Sequence, residues 1–195
     1  MSLDPIGVAL RVAEVLDALG IEYLVGGSVA ASLTGVSRTT LDVDMVVRLE
    51  EGRVDALVDR LGEDFHADPE SLRRAVRMRS SSNLIHFESG MKIDLFVARD
   101  QHIDQEQMRR KRRLRVATNP DRYLFVSAPE DTIVQKLHWY RMGGEASDRQ
   151  WGDILGVLRI NRGELDMDYL LRAAEWLGVS DLLERALRQA DESPR

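Results

Sequence analysis

Cysteine is absent from the 195 residues, so the chain has neither a disulfide framework nor a thiolate metal site. His66, His86, His102 and His138 stand at no spacing that suits a metal, and none is read as catalytic. No apolar run approaches the roughly 20 residues that a membrane helix needs. The opening MSLDPIGVALRVAEVLDALG has no basic region ahead of its apolar positions and carries acids among them, so a cytoplasmic protein without a membrane segment is expected. Internal repeats are missing too. Basic residues are outnumbered 27 to 33, and the resulting net charge of -6 argues against a general nucleic-acid coat protein. One short segment runs the other way: positions 109–115 hold six basic residues in seven. That cluster can meet phosphates although the whole molecule is anionic.

What is present is an ordinary globular composition, 44% hydrophobic and 31% charged, in a chain long enough for one core and a small helical appendage. Ile6, Leu10, Val12, Val15, Leu16 and Leu19 recur at helical spacing before Gly20, a suitable stop. Tyr23, Leu24 and Val25 form a short apolar run that reaches Gly26-Gly27, a strand ending in a tight turn. Residues 28–33 then read as a short helix with Ser28 as its cap. A second strand is expected over 41–48, a helix over 52–61, and another helix opened by Asp68-Pro69. Residues 83–87 and 92–97 read as a hairpin around Glu88-Ser-Gly90, and 123–126 as a last strand. The period changes to 3.6 from Ser127 onward. Ser127-x-x-Glu130 and Ser147-x-x-Gln150 fit capping boxes, and helices follow near 167–177 and 181–190. The predicted architecture is α/β (α+β): a small mixed sheet with flanking helices over 1–126, then a C-terminal helical bundle over 127–195.

The strand 41–48 reads LDVDMVVR. Side chains at i and i+2 share a face, so Asp42 and Asp44 project together with Cα atoms roughly 6.5–7 Å apart. Two like charges at that distance repel unless a cation or a strong donor lies between them. Magnesium fits, since it takes oxygen ligands and is held by one or two carboxylates plus substrate phosphates. A pair of solvated acids on an edge strand is the plainer alternative. Two further features shift the balance. Gly26-Gly27-Ser28 lies where a strand turns into a helix, where free N–H groups can meet phosphate. Asp94 stands among Ile93, Leu95 and Phe96, where an acid is costly without a partner. A phosphate cradle, paired acids and a third acid together specify phosphoryl or nucleotidyl transfer.

Gly27-Ser28, thirteen residues, then Asp42-Val43-Asp44 with a later Asp94 resembles the signature of the polymerase-β-type nucleotidyltransferase superfamily. The resemblance implies that Asp42, Asp44 and Asp94 hold two magnesium ions, with Asp94 acting on the incoming hydroxyl. It implies that Gly26, Gly27 and Ser28 hold the triphosphate of an NTP substrate. Arg38-Thr-Thr-Leu-Asp42 is similar to the Arg-x-Thr-x-Asp-x-Asp form of minimal bacterial nucleotidyltransferases and abortive-infection toxin-like proteins. The helix that carries Lys136 resembles theirs, in which a lysine faces the cleft. That likeness implies a toxin–antitoxin or defence setting and a cognate antitoxin-like partner. The chain departs from CCA-adding enzymes, because Val29-Ala-Ala31 stands where they have Arg-Asp. It also lacks the Arg and Gly of the Gly-Ser-x-Ala-Arg-Gly form.

Arg38 is expected at the γ-phosphate, since a guanidinium fork suits phosphate. Lys136 is expected to border the cleft beside Ile133, Leu137 and Tyr140. Arg149 and Asp153 stand at i, i+4 and read as an intrahelical pair. Trp139, Tyr140, Trp151 and Trp176 read as core or inter-helix packing. The basic run 109–115 is expected on a helix whose cations have only Asp104 and Glu106 nearby. A solvated charged helix face is the plainer alternative and an acidic partner protein would also relieve their repulsion, but the expectation is that Arg109, Arg110, Arg112 and Arg113 contact an RNA backbone, with a tRNA 3′ end as acceptor. The competing class is a non-catalytic nucleotide-binding or protein-interaction module of the same fold.

Overall fold

The computed structural model describes residues 4–33 and 42–192. Helix α1 (Pro5–Ala18) is opened by Asp4, whose carboxylate accepts the Gly7 N–H at 2.7 Å, with proline in the first turn. It buries Val8, Val12 and Leu16, and Gly20 with φ +63 turns the chain after it. There follow β1 (Tyr23–Val25), α2 (Gly27–Leu33), β2 (Asp42–Val47), α3 (Val54–Leu61), β3 (Phe65–Ala67), α4 (Pro69–Met78), β4 (Ser81–His86) and β5 (Lys92–Val97). After these come α5 (His102–Arg110), β6 (Arg112–Thr118) and β7 (Asp121–Val126), then α6 (Pro129–Met142), α7 (Asp148–Ile160), α8 (Met167–Trp176) and α9 (Ser180–Glu192).

The described residues form two compact units, one of 4–29 and 42–127, the other of 30–33 and 128–192. In the first, seven strands make one mixed sheet in the order β3-β4-β5-β2-β1-β7-β6. β2 lies at the centre, parallel to β5 and antiparallel to β1. Its Val43, Met45 and Val47 are buried, as are Ile93, Leu95 and Val97 of β5, so each strand alternates a core face with a more open one. The predicted class therefore holds, a mixed sheet with flanking helices and C-terminal helices.

The second unit buries Ile133, Val134 and Leu137 of α6, Val157 and Leu158 of α7, Leu170 and Ala173 of α8, and Leu182, Leu183 and Ala186 of α9. Ser147 caps α7 as expected, accepting the Gln150 N–H. The cap of α6 falls one residue after the expected Ser127. Ala128 stands at the cap of α6, and the buried Glu130 accepts the Asp166 N–H at 2.9 Å. Of the aromatics expected in the core or between helices, Trp139 and Trp176 are 52% and 43% exposed, Trp176 in edge-to-face contact with Tyr169. Asp153 does not need Arg149, because Lys136 of α6 holds it at 2.9 Å.

The basic run is the largest correction to the expected elements. It is split, with Arg109 and Arg110 ending α5 and residues from Arg112 onward forming the edge strand β6. A continuous helix would stack these cations at i, i+3 and i, i+4 on shared faces, where like charges destabilise. The strand separates them and sets Leu114 opposite Leu124 of β7.

Candidate active site

Because β2 and β5 are parallel and in register, Asp42 lies beside Lys92 and Asp44 beside Asp94. All four occupy the open face, opposite the core residues at 43, 45, 93 and 95. Neighbouring strands are spaced by about 5 Å, so three carboxylates share one small patch of sheet. Like charges in adjacent positions are unfavourable without compensation. Asp42 is exposed and Asp44 half-buried, while the Asp94 side chain is 17% exposed, so Asp94 sits at the edge of the core rather than inside it.

Compensation comes from a residue that the sequence reading treated only as part of a strand. The Lys92 ammonium donates to Asp94 Oδ2 at 2.8 Å. That hydrogen bond is the main cause lifting the Lys92 ammonium above the ordinary lysine range. Some desolvation opposes it, and the charges of Asp94, Asp42 and Asp44 add to it. The signal was present in Lys92-Ile-Asp94, since i and i+2 on a strand share a face. The parallel partner that brings Asp42 alongside could not be read from it.

Gly27 closes the other side of Asp44. Its φ is +56, a left-handed conformation that suits glycine, and a Cβ there would overlap Asp44 Oδ2 and lie 2.7 Å from its Cγ. The preceding Gly26 donates its N–H to the Asp44 carbonyl at 2.8 Å, which ties the turn to β2. Ser28 is the second residue of α2 rather than its cap, since the helix begins at Gly27. Arg38 lies outside the described residues.

The donor set suits a hard cation, three carboxylates without thiolate or imidazole and a backbone turn packed against one of them. Among the described residues no three acidic or histidine side chains converge as a ligand group. Asp94 is turned to Lys92.

The other site candidates have partners within their own unit. The Lys136 ammonium is buried against Asp153, with side chains only 11% and 6% exposed. The cations of 109–115 are not isolated. Arg109 pairs with Glu106, Lys111 pairs with Glu22 at 3.4 Å and lies over Phe125, and Arg115 reaches Asp121 at 3.7 Å. The Arg113 guanidinium stacks on Tyr123, 3.8 Å from the ring centroid. Glu22 is supplied by the fold from 89 residues away, whereas Asp121 lies six residues after Arg115 in the next strand of the same hairpin.

Two solved structures share this architecture. A nucleotidyltransferase-like antigenic protein from Paracoccidioides brasiliensis is similar at a TM-score of 0.50 and 18% identity, over 96% of this chain and 93% of its own. The solution structure of the antibiotic-resistance factor ANT(2'')-Ia is similar at 0.55 and 16% identity, over 96% of this chain and 100% of its own. No family model matches the sequence, and no curated protein sequence does. The likeness is one of fold, a nucleotidyltransferase fold with C-terminal helices.

Proposed function

We propose that this chain transfers a nucleoside monophosphate from an NTP to a hydroxyl acceptor at the face formed by Asp42, Asp44 and Asp94. The observation that carries this reading is the packing of Gly27 against Asp44. The turn leaves no room for a side chain beside the central carboxylate, and Asp94 stands next to that carboxylate on the parallel strand. A purely structural acid on an open sheet face needs no glycine in a left-handed conformation packed against it. Gly26, Gly27 and Ser28 would take the triphosphate, with Arg38 at its outer end. Asp42, Asp44 and Asp94 would hold magnesium, which when bound neutralises the triphosphate and favours the ionised form of the attacking hydroxyl. The protein's own part is to hold acceptor oxygen, phosphorus and leaving oxygen in line, with Asp94 facing the acceptor.

Lys136 is assigned to the triphosphate in the same reading, and its ion pair with Asp153 supplies the contrast. A lysine that only braces α6 on α7 changes stability. One that meets phosphate also changes NTP affinity. For the acceptor, Arg109, Arg110, Arg112 and Arg113 favour RNA, because Arg109 has a side chain 70% exposed and Arg112 and Arg113 begin a sheet edge. A toxin-like or defence role with an antitoxin-like partner follows from the sequence resemblance alone.

The test is pyrophosphate release from each of the four NTPs with magnesium, in the presence of total RNA and of a small hydroxylated acceptor. NTP-dependent release that Asp44→Asn abolishes supports transfer. NTP binding that is unaffected by EDTA and by Asp44→Asn, without release, replaces it with the non-catalytic module.

A further inference from the structure

The acidic patch carries its own cation. Lys92 and Asp94 are two residues apart on β5 and share a face, and the register sets Lys92 directly beside Asp42. The acid is the more buried partner of the pair, at 17% exposure against 43% for the lysine, so the ammonium reaches Asp94 from the solvent side. A lysine stem is flexible and its head strongly hydrated, so withdrawal into water requires no change of backbone.

From this arrangement we propose that Lys92 is a resident counter-cation. Its ammonium neutralises Asp94 in the metal-free protein and must release that carboxylate before it can ligate a divalent ion. The inference rests on the metal-binding reading above and adds a residue that sets the affinity of the site. Two consequences follow, with opposite signs. Removing the ammonium leaves three carboxylates on one patch without it, so the metal-free protein loses stability. It also removes a competitor and a like charge for the incoming ion, so divalent cations bind more tightly. A lysine whose only task is to brace the strand gives the first effect without the second. A lysine that binds substrate phosphate leaves metal affinity unchanged in the absence of nucleotide.

The experiment titrates Mn²⁺ into the nucleotide-free full chain by calorimetry and by the paramagnetic resonance signal of free Mn²⁺. Thermal unfolding is followed with and without the ion. A partly exposed ion pair is worth up to about 1 kcal/mol, so Lys92→Met is expected to tighten Mn²⁺ binding by roughly two- to fivefold. It should also lower the metal-free unfolding temperature and enlarge the metal-induced rise. Lys92→Arg, which keeps the charge, should restore the wild-type affinity, and Asp44→Asn should weaken binding in both backgrounds. Equal or weaker Mn²⁺ affinity in Lys92→Met, with binding intact in the wild type, overturns the role of Lys92 and leaves the metal site standing. No Mn²⁺ binding in wild type or in Lys92→Met overturns both.

Discussion

A single added methyl group at Gly27 tests whether the turn and the central acid are built for each other. Alanine there must hold a left-handed backbone, with φ at +56, which costs an L residue roughly 1–2 kcal/mol. Its Cβ would overlap Asp44 Oδ2 and lie 2.7 Å from Cγ and 3.0 Å from Cβ of the same residue. Relief comes from turning the carboxylate aside, and an off-rotamer side chain costs roughly 0.5–1.5 kcal/mol. The expected destabilisation is therefore about 2–3 kcal/mol, which for a chain of this size lowers the midpoint of thermal unfolding by about 5–10 °C.

The same displacement takes Asp44 out of the patch, so Mn²⁺ affinity should fall by at least about tenfold, or 1.4 kcal/mol. Gly26→Ala is the matched control. A Cβ there meets nothing closer than Leu24 Cδ1 at 4.0 Å, and Gly26 has no positive φ. Its stability should change by less than about 1 kcal/mol, in either direction, because alanine also restricts the unfolded chain. Circular dichroism melts and the Mn²⁺ titration read both quantities. Equal losses at 26 and 27, or wild-type metal affinity in Gly27→Ala, would refute the packing argument and remove the main support for the transfer reading.

Lys136→Met should destabilise the protein, since it takes the ammonium from the buried Asp153 carboxylate, and denaturant melts should show Asp153→Leu restoring part of that loss. NTP affinity measured in the double variant then separates bracing from phosphate binding. Replacing Arg109, Arg110, Arg112 and Arg113 with glutamine should weaken RNA retention and flatten its salt dependence while leaving Mg–NTP binding unchanged; unaltered retention would assign these cations to their intramolecular partners. Asp104 titrates above the usual aspartate value of 3.8, first because burial penalises its charge, so the folded state binds its proton more tightly than the unfolded state. Its favourable contribution is present below about pH 4 and is lost as pH rises through the folded value. Asp104→Asn should therefore be neutral in acid and stabilising near neutral pH, and melts at several pH values would show an unchanged difference if the burial argument is wrong.

The parts of this protein legible in its sequence are those set by local spacing. Alternation in residues 42–47 placed Asp42 and Asp44 on one face, and the structure has Val43 and Met45 buried behind them. Asp68-Pro69 capped α4, Ser147 capped α7, and Glu88-Ser-Gly90 joined β4 to β5. Failures arose wherever a partner comes from far along the chain. Ser127-x-x-Glu130 has the letters of a capping box, but Glu130 is drawn to the Asp166 N–H, 36 residues away. Arg149-x-x-x-Asp153 has the spacing of a helical pair, but Lys136 on the neighbouring helix reaches Asp153 first. Short local offers lose when burial provides a drier partner, because hydrogen bonds and charges count for more away from water.

The same distinction governs the candidate site. Six cations in seven positions suggested an unrelieved charge cluster, because the count weighed only Asp104 and Glu106 as neighbours. Tertiary structure brought Glu22 to Lys111, Asp121 to Arg115 and the Tyr123 ring to Arg113, so repulsion within the run no longer requires an external polyanion. The acids show the reverse. The sequence shows a cost for Asp42 with Asp44 and another for Asp94, but only the parallel register of β2 and β5 makes the three adjacent. That register also delivers Lys92, two positions before Asp94, as the cation that the arrangement requires. The fold thus supplies partners to the basic run that local sequence does not show, and it sets Lys92 among the three acids.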